Sequence, residues 1–201
     1  MKPGNYSYQF VAGNLALDFI NTVAFRLDPA KVRDHLQTAE EVRQWANQAH
    51  LPDCDAISSC PPLSKTALLC LRAVREQLFA VFSAIASDVP VPDVALRRVS
   101  KALHHCRAKQ CLSIQGVDVR WTWRPGVGCS DLLLYPILTA AIDLLTSVSR
   151  SLVHQCADEG CGWLFLDRSN ARRRRWCSMA DCGNRNKARK YYRREAGLIS
   201  G

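Results

Sequence analysis

Apolar positions return with a helical period at several places along the chain. From Gly13 to Phe25, Leu15, Leu17, Phe19, Ile20 and Val23 fall near that spacing, while Asn14, Asp18 and Asn21 recur at i, i+4 and i+7. This predicts a helix with one polar stripe. Thr38 followed by Glu41 has the form of a capping box, predicting a second helix from Thr38 to His50 that Pro52 closes. Pro61-Pro62 opens a longer pattern, with Leu63, Ala67, Leu71, Val74, Leu78, Val81 and Ile85 in phase to about Ser87, and Pro90 and Pro92 end it. Asp93 to Lys109 reads as a further helix. Leu112–Gln115 and Val117–Trp123 read as two short strands around Gly116, a hairpin, followed by a loop over 124–128. Asp131 to His154 is mainly apolar and predicts a second long helix.

Beyond Gln155 the pattern changes. WLFLDRSNARRRRW begins as an apolar strand, turns at Ser169-Asn170 and brings Arg172 to Arg175 back to Trp176, which predicts a hairpin. Met179 to Glu195 has helical composition, with Arg185, Arg189 and Arg193 along one row and Lys187, Lys190 and Arg194 along another.

Charge sharpens this division. Residues 1–155 hold 16 Lys/Arg against 13 Asp/Glu, a net of +3, and residues 156–201 hold 11 against 5, a net of +6. Arg168 to Arg194 alone carries +10 over 27 residues, more than the +9 of the whole chain. Charge so concentrated points to an anionic partner, since two basic rows on one short helix repel unless phosphates neutralise them. The competing reading is a solvated face, or arginines tied up by Asp167 or Asp181.

The ten cysteines are not scattered evenly. Cys156-x4-Cys161 and Cys177-x4-Cys182 stand 15 residues apart, two close pairs across a short loop, which is how a chain supplies four thiolates to tetrahedral zinc without a large core. With all four positions filled by protein, one structural zinc is expected. Gly160, Gly162 and Gly183 beside the cysteines suit tight turns whose amides approach sulfur. Cys106-x4-Cys111, preceded by His104-His105, repeats the spacing, but it has no turn glycines and only Cys129 to add, so ordinary side chains are expected there, as at Cys54, Cys60 and Cys70. Without a secretory signal at the N-terminus or a spanning apolar run, thiols in a cytoplasmic, membrane-free protein are expected.

The segment CADEGCGWLFLDRSNARRRRWCSMADCGNRNKARKYYRR resembles the CGNR-type zinc finger, named for Cys182 to Arg185. In that family the finger follows a domain called ABATE, whose LDF-NT signature is similar to Leu17-Asp18-Phe19-Ile20-Asn21-Thr22. The resemblance implies a bacterial, stress-related transcription regulator with the finger on DNA, the N-terminal domain sensing or assembling, and Cys156, Cys161, Cys177 and Cys182 as zinc ligands.

The expected fold class is α+β. A mainly helical domain with a small β element over 1–155 precedes a treble-clef-like finger over 156–201 that ends in a basic helix. The expected function is DNA binding through Arg172, Arg173, Arg174, Arg175, Arg185, Lys187, Arg189, Lys190, Arg193 and Arg194. Asn184 and Asn186 are candidates for reading a base edge. RNA is the alternative partner, with Trp163, Trp176, Tyr191 and Tyr192 stacking on bases. A different class of reading puts a ligand pocket for a small-molecule effector, or an enzyme, in the N-terminal domain with the finger as accessory. Asn14, Asp18 and Asn21 are the candidate lining, against the simpler reading of a satisfied polar network. The five histidines show no catalytic or metal spacing, and neither a phosphate loop nor a G-x-S-x-G is present, so no enzyme is expected. A homodimer is a further expectation, with the apolar 131–154 helix as its interface.

Overall fold

The structure, a computed structural model, describes residues 6–52 and 54–196. The first helix, α1 (Leu15–Ile20), is shorter than its periodicity suggests. Asn14 caps it by accepting from the amides of Ala16 and Leu17, and it stops at Asn21 because the chain then enters a short antiparallel ladder, β1 (Val23–Ala24) with β2 (Arg33–Asp34). Phe25 turns that corner in the left-handed region at φ 53°. The predicted capping box is present at α2 (Ala39–Gln48), with Thr38 and Glu41 reciprocally bonded. A short α3 (Cys54–Ser59), which the apolar pattern does not announce, precedes α4 (Lys65–Ala86); Ser64 caps α4, so it starts after the proline pair rather than at it.

α5 (Asp93–Arg107) leads into the hairpin of β3 (Gln110–Gln115) and β4 (Asp118–Trp123), close to the expected bounds, with Gly116 left-handed at φ 65° in its turn. α6 (Cys129–Thr146) ends eight residues short of His154. A 3-10 turn, Val148–Leu152, intervenes, and Val153–Gln155 is then needed as a strand, β5, to pair with β6 (Leu164–Leu166). A π-helical turn, Met179–Gly183, leads into α7 (Asn184–Glu195).

α6 is apolar nearly all round because it is the central helix, packed by α1, α4 and α5. By length and composition alone it would cross a membrane, yet its Leu133, Ile137, Leu138 and Ala141 are almost fully buried against the protein's own core. That face is thus used inside the body, and a homodimer interface on this helix, expected from sequence, would have to use its other face, at Tyr135, Pro136, Thr139 and Ala140. Apolar surface is exposed instead on the β3–β4 hairpin, at Leu112, Ile114, Val119 and Trp121.

Phe19, Trp45, Leu78 and Phe82 of the body share one contiguous core with Leu164, Phe165, Leu166 and the four C-terminal cysteines. The junction is hydrogen-bonded throughout. Asn21 holds the Leu164 peptide at both ends, donating Nδ2–H to its carbonyl at 2.8 Å and accepting its amide at 2.9 Å. Leu166 donates to the Ala12 carbonyl at 2.8 Å, and Trp163 Nε1–H donates to that of Val23 at 2.9 Å. Arg26 and Leu27 amides donate to the Cys161 and Gly160 carbonyls. Gly162, at φ 73°, sits where any Cβ would lie 2.9 Å from that of Arg26. That close approach, more than any turn toward sulfur, requires glycine there.

Candidate metal centre and basic surface

The first cysteine pair sits on the turn between β5 and β6. The Cys156 amide donates to the Trp163 carbonyl at 2.8 Å, continuing the ladder, and the Cys161 amide donates to the Asp158 carbonyl at 3.0 Å to close the knuckle. The second pair is set at the entry to α7. Ser178 caps that turn by accepting the Asp181 amide, and the Gly183 amide returns to the Ser178 carbonyl, leaving Cys177 and Cys182 facing the first pair. A knuckle on a strand hairpin opposite a second pair at a helix start is the expected treble-clef-like arrangement.

All four cysteines are buried and their Sγ atoms lie within 4.8 Å of one another. Cys177 Sγ is 3.7 Å from that of Cys161 and 3.5 Å from that of Cys182. Zinc–sulfur bonds of about 2.3 Å in a tetrahedron put sulfurs about 3.8 Å apart, so the separations suit one zinc ion and are far too long for disulfides. Cys156, Cys161, Cys177 and Cys182 hold that ion as a closed set. The Cys177 amide approaches Cys156 Sγ at 3.4 Å, and Arg185 Nη2–H donates to Cys182 Sγ at 2.9 Å. Hydrogen bonds of this kind orient metal-bound thiolates. The Gly160 and Gly183 amides do not take this part: they go to Asp158 Oδ1 and to the Ser178 carbonyl.

Asp158, unremarked in sequence, organises the basic helix. It is fully buried within the first knuckle, taking Arg185 Nε–H at 2.7 Å and both terminal nitrogens of Arg189 at 3.1 Å. Burial by itself would raise its carboxyl, but hydrogen bonds from Arg185, the Gly160 amide and Arg189 outweigh this and hold it below the ordinary carboxylate range. Arg193 reaches Glu159 at 3.4 Å. The row Arg185, Arg189, Arg193 is therefore turned onto the knuckle. Lys187, Lys190 and Arg194, about 130° round the helix from it, stay exposed and have no ion pair among the described residues.

The arginine run also divides. The strand predicted to return through it does not form, because β6 pairs with β5 instead. Arg172 takes a left-handed turn at φ 46°. Arg174 points inward, over the Phe165 ring at 4.3 Å, with its guanidinium donating to the Trp176, Val11 and Cys177 carbonyls. Its amide and Ser169 satisfy Asp167. Arg172, Arg173 and Arg175 remain exposed. The acid that restrains the helix arginines is thus Asp158 rather than Asp167 or Asp181.

The stripe Asn14, Asp18 and Asn21 encloses no ligand-sized space, and only Asn21 reaches the finger. Asn14 caps α1 and donates to the Ala140 carbonyl at 3.3 Å, Asn21 holds Leu164, and Asp18 accepts the Ala12 amide at 3.0 Å. The cavity touching Asp18 and Asn21 measures about 10 Å³, room for one water molecule at most. Burial pushes the Asp18 carboxyl up to about 6, against the backbone hydrogen bonds that it accepts.

The rival cysteines do not converge. Cys106 is buried and donates weakly to Asp131 at 3.9 Å, Cys111 lies beside Thr122, and the C-terminal quartet is the one metal-competent cluster found among the described residues. Asp131 instead caps α6 and takes Lys109 at 2.6 Å. Sequence patterning also misses a buried network in the body: Arg75, 2% exposed, forks onto Asp34 at 2.7 and 2.8 Å, and Glu76 ties it to Arg26, whose loop docks on Cys161.

Two family models match the chain. The ABATE model, described as "putative stress-induced transcription regulator", covers residues 13–148, and the CGNR zinc-finger model covers residues 153–195 after it. No curated protein matches.

Proposed function

Since the chain belongs to the ABATE family and carries a CGNR zinc finger behind that domain, we propose that it is a cytoplasmic transcription regulator that grips duplex DNA through the finger. The observation that carries this is the division of the basic residues. Arg185, Arg189 and Arg193 pair with acids of the knuckle and Arg174 is folded inward, while Arg172, Arg173, Arg175, Lys187, Lys190 and Arg194 stand exposed with no ion pair among the described residues. A zinc-braced helix with one committed face and one free cationic face suits a phosphate backbone. Trp163 is bonded to Val23 and Trp176 packs on the core, so of the four rings that could stack on single-stranded RNA only Tyr191 and Tyr192 stand exposed, which favours duplex DNA. In this reading the protein binds and does not turn over a substrate, and the N-terminal domain senses an effector.

The test is binding of the zinc-loaded protein to duplex DNA and to single-stranded RNA across a salt series. Replacing Lys187, Lys190 and Arg194 by Ala should lower the log–log salt slope by about 0.9 for each phosphate no longer neutralised, roughly 2 to 3 in all, without shifting the thermal melt. An unchanged slope sinks the assignment of this row. Preference for the single strand would transfer the reading to RNA.

A further inference from the structure

The β3–β4 hairpin stands out from the body, and its register sets Gln110 opposite Trp123, Leu112 opposite Trp121 and Ile114 opposite Val119 on one face. At its base Trp123 meets Tyr135 of α6 edge-on, ring centres 5.3 Å apart. An open groove of about 590 Å³ runs between this base and α6, within the range of sites that take small molecules. Trp121, Trp123 and Tyr135 wall it, and Leu15, Leu132 and Pro136 contribute apolar surface. Pro136 also withholds the amide that would otherwise bond the Leu132 carbonyl.

Two polar atoms of the lining are out of keeping with this apolar surface. Gln110 Oε1 and Thr139 Oγ1 are both shut off from solvent and both without a hydrogen-bond partner. Buried polar atoms are almost always partnered, and a pair of orphans in one groove marks a place where a partner is supplied from outside. One is an acceptor, and the other accepts or donates. The one charged residue of the lining is Asp143, exposed, which disfavours anions. The arm above is a two-stranded hairpin exposed along its outer length, the kind of element that yields most easily to admit a ligand.

We infer that this groove binds a small, ring-bearing molecule that carries a hydroxyl or N–H donor and no negative charge. The ring packs between the tryptophans and Tyr135, and its donor meets Gln110 Oε1 or Thr139 Oγ1 once the hairpin yields enough to uncover them. The groove adjoins α1, since Leu15 lines it and Asn14 donates to the carbonyl of Ala140, another lining residue. The other end of α1 is Asn21, which grips the finger's Leu164. Occupancy therefore acts on the helix that seats the finger. That control rests on the regulator reading above, whereas the binding itself does not.

The experiment is a fluorine NMR titration of full-length, zinc-loaded protein with para-fluorophenol, fluorobenzene and para-fluorobenzoate. The phenol should bind about tenfold more tightly than fluorobenzene, the worth of one hydrogen bond to a buried group, and the benzoate should bind most weakly. Thr139→Val should keep the thermal melt and shrink the preference for the phenol severalfold. Ala140→Trp, which fills the groove, should abolish binding, and if it fails to fold Thr139→Val decides alone. Equal binding of phenol and fluorobenzene, no phenol binding at millimolar concentration, or binding unaffected by both variants would overturn the site. So would a change of sedimentation in Ala140→Trp without phenol binding, which would mean that a second copy covers the groove. None of these readouts involves DNA, so this site and the regulator reading fail separately.

Discussion

The body helices bury their apolar faces against one another, with α6 enclosed by α1, α4 and α5, whereas the finger's two strands, three residues each, bury theirs on the body and on the zinc cysteines. A segment this short cannot assemble a sufficient core of its own, so metal and neighbour supply what hydrophobic burial supplies elsewhere. The ionic parts differ in the same sense. Arg75 and Asp34 form a bidentate pair sealed inside the body, its arginine 3% exposed, while the arginines held by Asp158 are about a third exposed and keep their place only while the knuckle does. Order in the body is thus local to it, and order in the finger is conditional.

The sharpest way to break that comparison is to take the metal away. Chelation, or Cys177→Ser, removes a contribution on the order of 10 kcal/mol and should release β5, β6 and α7 to hydrogen exchange while α4 and α6 stay protected. Unchanged zinc content in the variant would refute the ligand set, and loss of the body helices in the same step would show that the two parts are not separately conditional. Next in size is Asp158→Asn, which strands two guanidiniums and should cost about 3–5 kcal/mol, seen as a lower melt of α7 with the zinc still bound. If the melt does not move, zinc alone holds the helix.

A smaller effect tests the body side. Asp18 has its pKa raised by burial to about 6 from an ordinary 3.8, so the folded chain binds its proton more tightly than the unfolded chain between those values. Stability tied to this group is full below about pH 4 and declines as pH climbs through 6. Asp18→Asn, a mimic of the protonated form, should match the natural protein in acid and exceed it by up to about 3 kcal/mol at neutral pH in denaturant melts. Equal stability at every pH would mean that the carboxylate is better solvated than its burial implies.

Much of this is legible in the sequence, and what is not has a common cause. The zinc ligands can be read from spacing because they are close in sequence, and so can the Thr38–Glu41 capping box and the hairpin at Gly116. The end of α6 cannot, because Val153–Gln155 becomes a strand only when it meets Leu164–Leu166. Of ten basic residues that composition treats alike, Arg174, Arg185, Arg189 and Arg193 are committed to partners, three of them to acids inside the first knuckle. The polar stripe Asn14, Asp18, Asn21 runs along α1 and its two caps as its spacing predicts, yet its side chains serve the backbone of distant segments instead of a cavity. Partners far apart in sequence decide each of these cases.

The grip of Asn21 on Leu164 bears on how such a chain can be recombined. Cut out after Gln155 and grafted onto another body, the finger would arrive with the Leu164 peptide, the Leu166 amide and the Trp163 indole N–H all bare. A new host would have to offer a side-chain amide and two carbonyls in the same places. A finger moved to an unrelated body would therefore lose about 1 kcal/mol with each of these hydrogen bonds that the new host fails to replace.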